Sequence, residues 1–167
     1  GQVATPGARS SYGIGILKSN DRGVTWNTTG LDWLIDQRRG IYAIRMDPSN
    51  HRVLWAATSE GLYKTVDGGD SWSVMNPLLM CMDVVILPQA TDTVIATFGQ
   101  LGTPAAPDAG LYRTTNGGAT WTKLATGLPT TNFGRTALSV SKWGGVLYAG
   151  IGNASTSRIT GLYRSLN

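Results

Sequence analysis

Three residue types that build most catalytic centres are almost missing from this chain: among 167 residues it has one cysteine, one histidine and one glutamate. A single thiol excludes an intrachain disulfide. Cys81 lies in the apolar run Leu78-Leu-Met-Cys-Met82 and reads as a buried small hydrophobe. His51 follows Pro48-Ser-Asn50 in a turn, so no base stands ready to make that thiol a nucleophile. Charge is scarce as well, at 14% of residues with a formal net charge of +4. The basic residues are scattered singly apart from Arg38-Arg39, which gives no nucleic-acid footprint. No apolar run reaches the length of about 18 residues that a membrane helix needs, and no charged-then-apolar leader opens the chain. The expectation is a chain whose leader has been removed, or an internal piece of something longer.

What the chain does have is 22 glycines, 7 prolines and abundant Thr, Ser and Val, a mixture that disfavours helices and favours short strands joined by tight turns. It also has a repeat. Gly61-Leu-Tyr-Lys-Thr-Val-Asp-Gly-Gly-Asp-Ser-Trp72 returns as Gly110-Leu-Tyr-Arg-Thr-Thr-Asn-Gly-Gly-Ala-Thr-Trp121 and, earlier, as Gly15-Ile-Leu-Lys-Ser-Asn-Asp-Arg-Gly-Val-Thr-Trp26. A fourth copy starts at Gly161-Leu-Tyr-Arg-Ser-Leu-Asn167. The tryptophans at 26, 72 and 121 are 46 and 49 residues apart, a period that signals a repeat architecture.

Around each copy the same plan recurs. Ile41–Met46 has strand composition, Asp47-Pro-Ser-Asn50 is a turn by residue chemistry, and Val53–Ala57 is the continuous apolar run of a strand buried on both faces. Ser59-Glu60 links it to Gly61–Thr65, and Trp72–Met75 returns after the repeated loop. The next unit reads Met82–Leu87, a turn Pro88–Asp92, Val94–Phe98, a Gly/Pro/Ala loop Gly99–Ala109, Gly110–Thr114 and Trp121–Leu124. The following one reads Arg135–Val140, the turn Lys142-Trp-Gly-Gly145, Val146–Gly150, a loop Gly150–Thr160, and Gly161–Ser165. Before them stand a Gly-rich stretch to Gly13, the strands Ile14–Ser19 and Trp26–Thr29, and a connection Gly30–Asp36 with a short helical turn. Four antiparallel strands per unit is the arithmetic of a β-propeller blade, so the fold class is all-β, with units at 1–29, 30–76, 77–125 and 126–167. Thirteen strands make about three blades, an incomplete ring. The chain is therefore expected to be a segment of a larger propeller or of an assembly, with remaining blades or other subunits as its partners.

The repeated loop, here called the box, reduces to Ser/Thr-x-Asp/Asn-x-Gly-x-Ser/Thr-Trp, and every position has a local task. The oxygens of Ser19 and Asp21, Thr65 and Asp67, and Thr114 and Asn116 can accept bonds from backbone N–H groups a few residues on. Gly23, Gly69 and Gly118 supply a positive φ, and Trp26, Trp72 and Trp121 bury a large ring between neighbouring sheets. Asn116 and Asn167 replace the usual Asp, and Arg22 replaces the first glycine of the pair. A metal or charge-dependent site repeated with the box would need its carboxylate repeated, so no metal or other cofactor is expected.

This pattern resembles the Asp-box, or BNR, repeat of β-propellers. With the Gly-Leu-Tyr-Lys/Arg strand before it, the resemblance is to the sortilin and xyloglucanase branch and to large secreted bacterial proteins, and it covers essentially the whole chain. It implies a structural role for the box and a secreted, periplasmic or cell-surface location, without membrane insertion. A sialidase would further require an arginine cluster and a Tyr/Glu nucleophile pair. The Arg-Ile-Pro signature of that family is absent, and Glu60 lies in a hairpin tip.

A glycosidase needs two carboxyl groups at a defined separation across the sugar. Setting aside the acids of turns and boxes leaves Asp32, Asp36, Asp83 and Asp108. Asp83 starts an innermost strand, from which it could face a central channel. Sugar rings also stack on exposed aromatics, and Trp33 and Trp143 lie outside the boxes, so Asp83, Trp33 and Trp143 form the candidate ligand surface, whereas Trp55 is mid-strand and core. Asn27-Thr-Thr29 and Asn153-Ala-Ser155 fit the glycosylation pattern of the eukaryotic secretory route. The sequence favours a non-catalytic extracellular binding or assembly scaffold that recognises its ligand, with carbohydrate one candidate, through loops that vary while the frame repeats. The other reading is part of a xyloglucanase-like glycoside hydrolase with its catalytic acids largely outside this segment.

Overall fold

The computed structural model describes residues 12–99, 108–143 and 145–165. The expected loop before Gly13, most of the loop Gly99–Ala109, and Asn167 lie outside the described residues. Thirteen strands form four antiparallel sheets in the order of the chain. The first sheet pairs β1 (Gly15–Lys18) with β2 (Asn27–Asp32). The second holds β3 (Ile41–Met46), β4 (Leu54–Thr58), β5 (Gly61–Thr65) and β6 (Ser73–Asn76), each hydrogen-bonded to its sequence neighbour. The third repeats this with β7 (Cys81–Leu87), β8 (Ala90–Phe98), β9 (Gly110–Thr114) and β10 (Thr122–Leu124). The fourth has β11 (Phe133–Val140), β12 (Leu147–Asn153) and β13 (Ile159–Ser165). The described sheets do not close into a ring.

The core is distributed between sheets. Trp55, Ala57 and Leu62 of the second sheet meet Cys81, Val84, Ile86, Val94 and Phe98 of the third. Val85, Ile95 and Leu111, on the other face of the third sheet, meet Phe133, Leu138, Ala149 and Ile151 of the fourth. Strand β7 therefore sends alternate side chains into two cores, and six of its seven residues are buried. That is why it reads as a near-continuous apolar run rather than an alternating one. Strand β7 packs against both β3 and β11, so the first strands of the three sheets lie side by side.

Two local expectations are corrected. The turn placed at Pro88–Asp92 is tighter: Leu87 already pairs with Ala90, and Asp92 lies within β8. The connection after Trp26 also starts later than expected, because β2 continues to Asp32 before a single 3-10 turn at Ile35–Gln37. Leu31 explains the extension, since it is buried at 5% exposure against Ile16 and Trp33 and carries the strand onward.

Candidate functional site

The three boxes fold on themselves by the same bonds. In the second, the Thr65 hydroxyl donates to Asp67 Oδ1 at 2.6 Å and accepts from Gly69 N–H at 3.0 Å, while Asp67 Oδ1 accepts from Ser71 N–H at 3.0 Å. The first repeats this with Gly23 N–H to Ser19 Oγ at 2.7 Å and Thr25 N–H to Asp21 Oδ1 at 2.8 Å. The third keeps it with asparagine: Gly118 N–H reaches Thr114 Oγ1 and Thr120 N–H reaches Asn116 Oδ1, both at 3.0 Å. Only the last bond reverses. Ser71 donates its hydroxyl to Asp67, whereas Asn116 Nδ2 donates to the Thr120 hydroxyl at 2.9 Å. The hydroxyl of the Ser/Thr can play either part, so the loss of a charge leaves the turn intact.

These bonds consume the carboxylates. Hydrogen bonds from the Thr25 side chain and backbone, and then from Ser19, hold Asp21 down to about 2. Bonds from Ser71 and Thr65 hold Asp67 lower still. Gly23, Gly69 and Gly118 have φ of 92°, 101° and 100°, and the residue before each is also at positive φ, with Arg22 at 61° where the other copies have glycine.

The second and third boxes also fasten their sheets to the ones before them. Trp121 Nε1–H donates to the Met75 carbonyl at 3.0 Å, and its ring meets Trp55 edge-on with centroids 6.1 Å apart. Lys64 Nζ lies 4.9 Å over the Trp55 ring and donates to the Gly117 carbonyl at 2.9 Å. One sheet earlier, Gly30 N–H donates to the Gly69 carbonyl at 2.8 Å, and Trp72 packs beside Ile16, Leu31 and Trp33. Trp26, in the first box, is 60% exposed, and its indole N–H donates to its own Gly23 carbonyl.

Asp83 is buried at 7% exposure and ties three sheets together. Its Oδ1 accepts from Arg45 Nη2 of β3 at 2.8 Å and from Val84 N–H at 2.9 Å, and its Oδ2 accepts from Leu138 N–H of β11 at 2.9 Å. Both oxygens are engaged, so the carboxylate is built into the junction of the inner strands and not presented to a channel. Sequence reasoning missed its partners, because Arg45 and Leu138 are 38 and 55 residues away.

The other candidates do not gather around it. Trp33, placed on the ligand surface from sequence, is corrected to a core residue: it is 9% exposed and meets Tyr63 edge-on at 6.5 Å, with the Arg39 guanidinium 5.8 Å over its ring. Trp143 is 74% exposed on the turn between β11 and β12, with Lys142 Nζ 5.3 Å from its ring. Cys81 is fully buried, and desolvation pushes its thiol well up, aided by the Asp83 charge. Asp32 ends β2, Asp36 lies in the 3-10 turn, and the Asp108 backbone carbonyl accepts from the Tyr112 hydroxyl at 2.8 Å. The four candidate acids thus sit on four separate elements.

A different polar group forms at the opposite end of the sheets from the boxes. Arg39 Nε lies 3.7 Å from Glu60 Oε2, and the Ser59 hydroxyl donates to Glu60 Oε1 at 3.0 Å while accepting from Gly40 N–H. Burial and then the Glu60 charge push the Tyr42 hydroxyl up, against an opposing pull from Arg135. Arg39, Tyr42, Glu60 and Arg135 therefore form a charged and hydroxylated patch on loops and strand starts. Its one carboxylate among these four residues is already paired with Arg39. The signal that could have found it was Glu60 itself, the only glutamate in the chain.

No family profile and no curated protein matches this sequence. Among solved structures, the chain is similar to the GH74 xyloglucanase from Xanthomonas campestris, with a TM-score of 0.67 and 18% identity over 91% of this chain and 25% of that one. It is also similar to an ancestral GH74 enzyme, with a TM-score of 0.49 and 18% identity over 93% of this chain and 27% of the other. The chain thus spans about a quarter of the length of the structures it matches. At this identity the likeness to the Xanthomonas enzyme is one of fold, and the four antiparallel sheets set side by side have the all-β architecture of its propellers.

Proposed function

We propose that this chain is a segment of an Asp-box β-propeller and serves as a non-catalytic binding or assembly scaffold outside the cytoplasm. The observation that carries the reading is the engagement of Asp83, the best-placed acid in the sequence, by Arg45, Val84 and Leu138. The box residues support it, because their polar atoms are spent on their own turns and the rings of Trp72 and Trp121 on the neighbouring sheet. Recognition then falls to the loops at the other end, where Arg39, Tyr42, Glu60 and Arg135 meet, and to the exposed Trp143. Hydroxyl-rich ligands such as oligosaccharides suit this chemistry. The remaining blades or other subunits would be its assembly partners.

The test is incubation of the purified chain with a panel of β-glucans and xyloglucan, reading reducing ends, alongside a glycan-binding array. No turnover is expected. Hydrolysis that disappears in Asp83→Asn while the thermal midpoint stays unchanged would sink the proposal. A second reading, that the chain is part of a xyloglucanase-like glycoside hydrolase, is favoured by the fold likeness to the Xanthomonas enzyme. In that case the catalytic acids stand largely on residues beyond these.

A further inference from the structure

Asn116-Gly117, in the third box, is the one Asn-Gly pair in the chain. That dipeptide is chemically reactive. The backbone nitrogen that follows an asparagine can attack the side-chain carboxamide carbon, and a glycine there has no Cβ to obstruct the approach. The other two boxes do not offer this reaction, because Asp21 and Asp67 stand at the equivalent position and carry no amide to expel.

In the docked box both partners of the attack are tied. Asn116 Oδ1 accepts from the Thr114 hydroxyl at 2.8 Å and from Thr120 N–H at 3.0 Å, while its Nδ2 donates to the Thr120 hydroxyl. The Gly117 N–H donates to the Asp92 carbonyl at 2.9 Å, as the Gly68 N–H donates to the Arg52 carbonyl in the second box. From the sheet before, Lys64 Nζ holds the Gly117 carbonyl at 2.9 Å, and Gly118 lies against Trp55. The nitrogen cannot reach the carboxamide carbon until these bonds open. Asn116 itself is exposed, so water has access to it.

We propose that Asn116-Gly117 is a site of spontaneous deamidation, shut while the third box is docked on Lys64 and Trp55 and reactive when this junction loosens. Gly117 N bonds to Asn116 Cγ, and Nδ2 leaves as ammonia with the proton of the Gly117 N–H, which closes a succinimide ring. Water then opens the ring at either carbonyl, leaving aspartate or isoaspartate. Aspartate restores the carboxylate that the other boxes carry, and the Thr120 hydroxyl has only to turn and donate to it, as Ser71 does to Asp67. Isoaspartate routes the main chain through the side-chain carbon, so the turn lengthens and Trp121 loses its fixed span to the Met75 carbonyl. The reaction needs no ligand and no catalytic residue of the blades, so it stands apart from the binding role proposed above.

The full chain is kept in mildly alkaline buffer beside a synthetic peptide of residues 114–123 and sampled over time. Trypsin, cutting after Arg113 and Lys123, releases the same peptide from the protein, and mass spectrometry with chromatography reads its amide-to-acid change and its isoaspartate. Conversion at Asn116 is expected, at least about tenfold slower than in the peptide, because only the open fraction of the box reacts. Lys64→Met keeps the stem on Trp55 and removes the bond to Gly117, and should raise the rate roughly threefold or more. Because that change also lowers the stability of the whole chain, the parent in urea provides a second arm: its rate should climb at concentrations well below the unfolding midpoint. Conversion in the folded chain as fast as in the peptide, or none in either folded protein, would overturn the proposal. So would a folded Lys64→Met chain no faster than its parent, or a rate that stays flat in urea until global unfolding.

Discussion

Replacing Asp83 by asparagine keeps the shape of the side chain and removes one acceptor. In the native protein one oxygen serves Arg45 and Val84 and the other serves Leu138, so three donors converge on two acceptors. Asparagine has one oxygen, and its NH2 must face either the Leu138 N–H or the Arg45 and Val84 pair. The better choice points it at Leu138, which sets donor against donor at a buried backbone amide. A lost bond to a charged acceptor costs about 1.5–3 kcal/mol and an orphaned buried donor about 1–3, overlapping contributions that combine to about 2–4 kcal/mol. The ion pair itself adds little, because the Arg45 side chain is 42% exposed and water screens it. Arg45→Met should accordingly cost less, about 0.5–1 kcal/mol. For a chain of this size the asparagine variant should melt roughly 5–15 °C lower. Urea unfolding followed by tryptophan fluorescence, with the midpoint and slope compared among the three proteins, measures both effects. An Asp83→Asn protein with an unchanged midpoint, or an Arg45→Met protein harmed more than it, would refute this account of the junction.

Identical motif positions should differ according to what lies against them. Trp121→Ala should cost about 2–4 kcal/mol, whereas Trp26→Ala, at 60% exposure, should cost less than about 1, as read by denaturant unfolding. Gly118→Ala would place a Cβ 2.8 Å from Trp55 and should cost about 2 kcal/mol or more, while Gly127→Ala, with nothing within 4 Å, should cost about 1 kcal/mol from its positive φ alone. Conversely, Arg22→Gly should stabilise by about 1 kcal/mol, since the arginine is held at a φ of 61°. The folded-state values of Asp21 and Asp67 lie below the ordinary 3.8, so their contribution is complete above that pH and is lost as the pH falls towards 2. Acid titration of Asp67→Asn should therefore show a shallower loss of stability over that interval, with the neutral-pH fold retained as in the Asn116 box.

What the sequence disclosed and what it withheld divide along contact distance. The box was legible because its bonds join residues two to four apart, so the composition of eight positions determines the turn. The strands were legible because Val53–Ala57 is apolar throughout, Met82–Leu87 is apolar but for Asp83, and the turns Asp47-Pro-Ser-Asn50 and Pro88–Asp92 flank the runs. Asp83 was legible as an inner-strand acid but not as a tie, since its partners come from β3 and β11 and no pattern within β7 reports them. Trp33 looked available because it lay in the expected connection Gly30–Asp36, and the approach of Ile16, Leu31, Ala56 and Tyr63 buries it. The patch of Arg39, Tyr42, Glu60 and Arg135 escaped for the same reason: its residues belong to the second and fourth sheets and come near one another only once the sheets are stacked.

The central claim is that the repeated tryptophan joins adjacent sheets, so that the motif marks architecture and leaves recognition to the loops. A double-mutant cycle on Trp55 and Trp121 tests this most directly, using Trp55→Phe, Trp121→Phe and the pair in urea unfolding. The edge-on contact at 6.1 Å across two sheets should give a favourable coupling of about 0.5–1.5 kcal/mol. Strictly additive effects would mean that the two rings do not meet and would contradict the account.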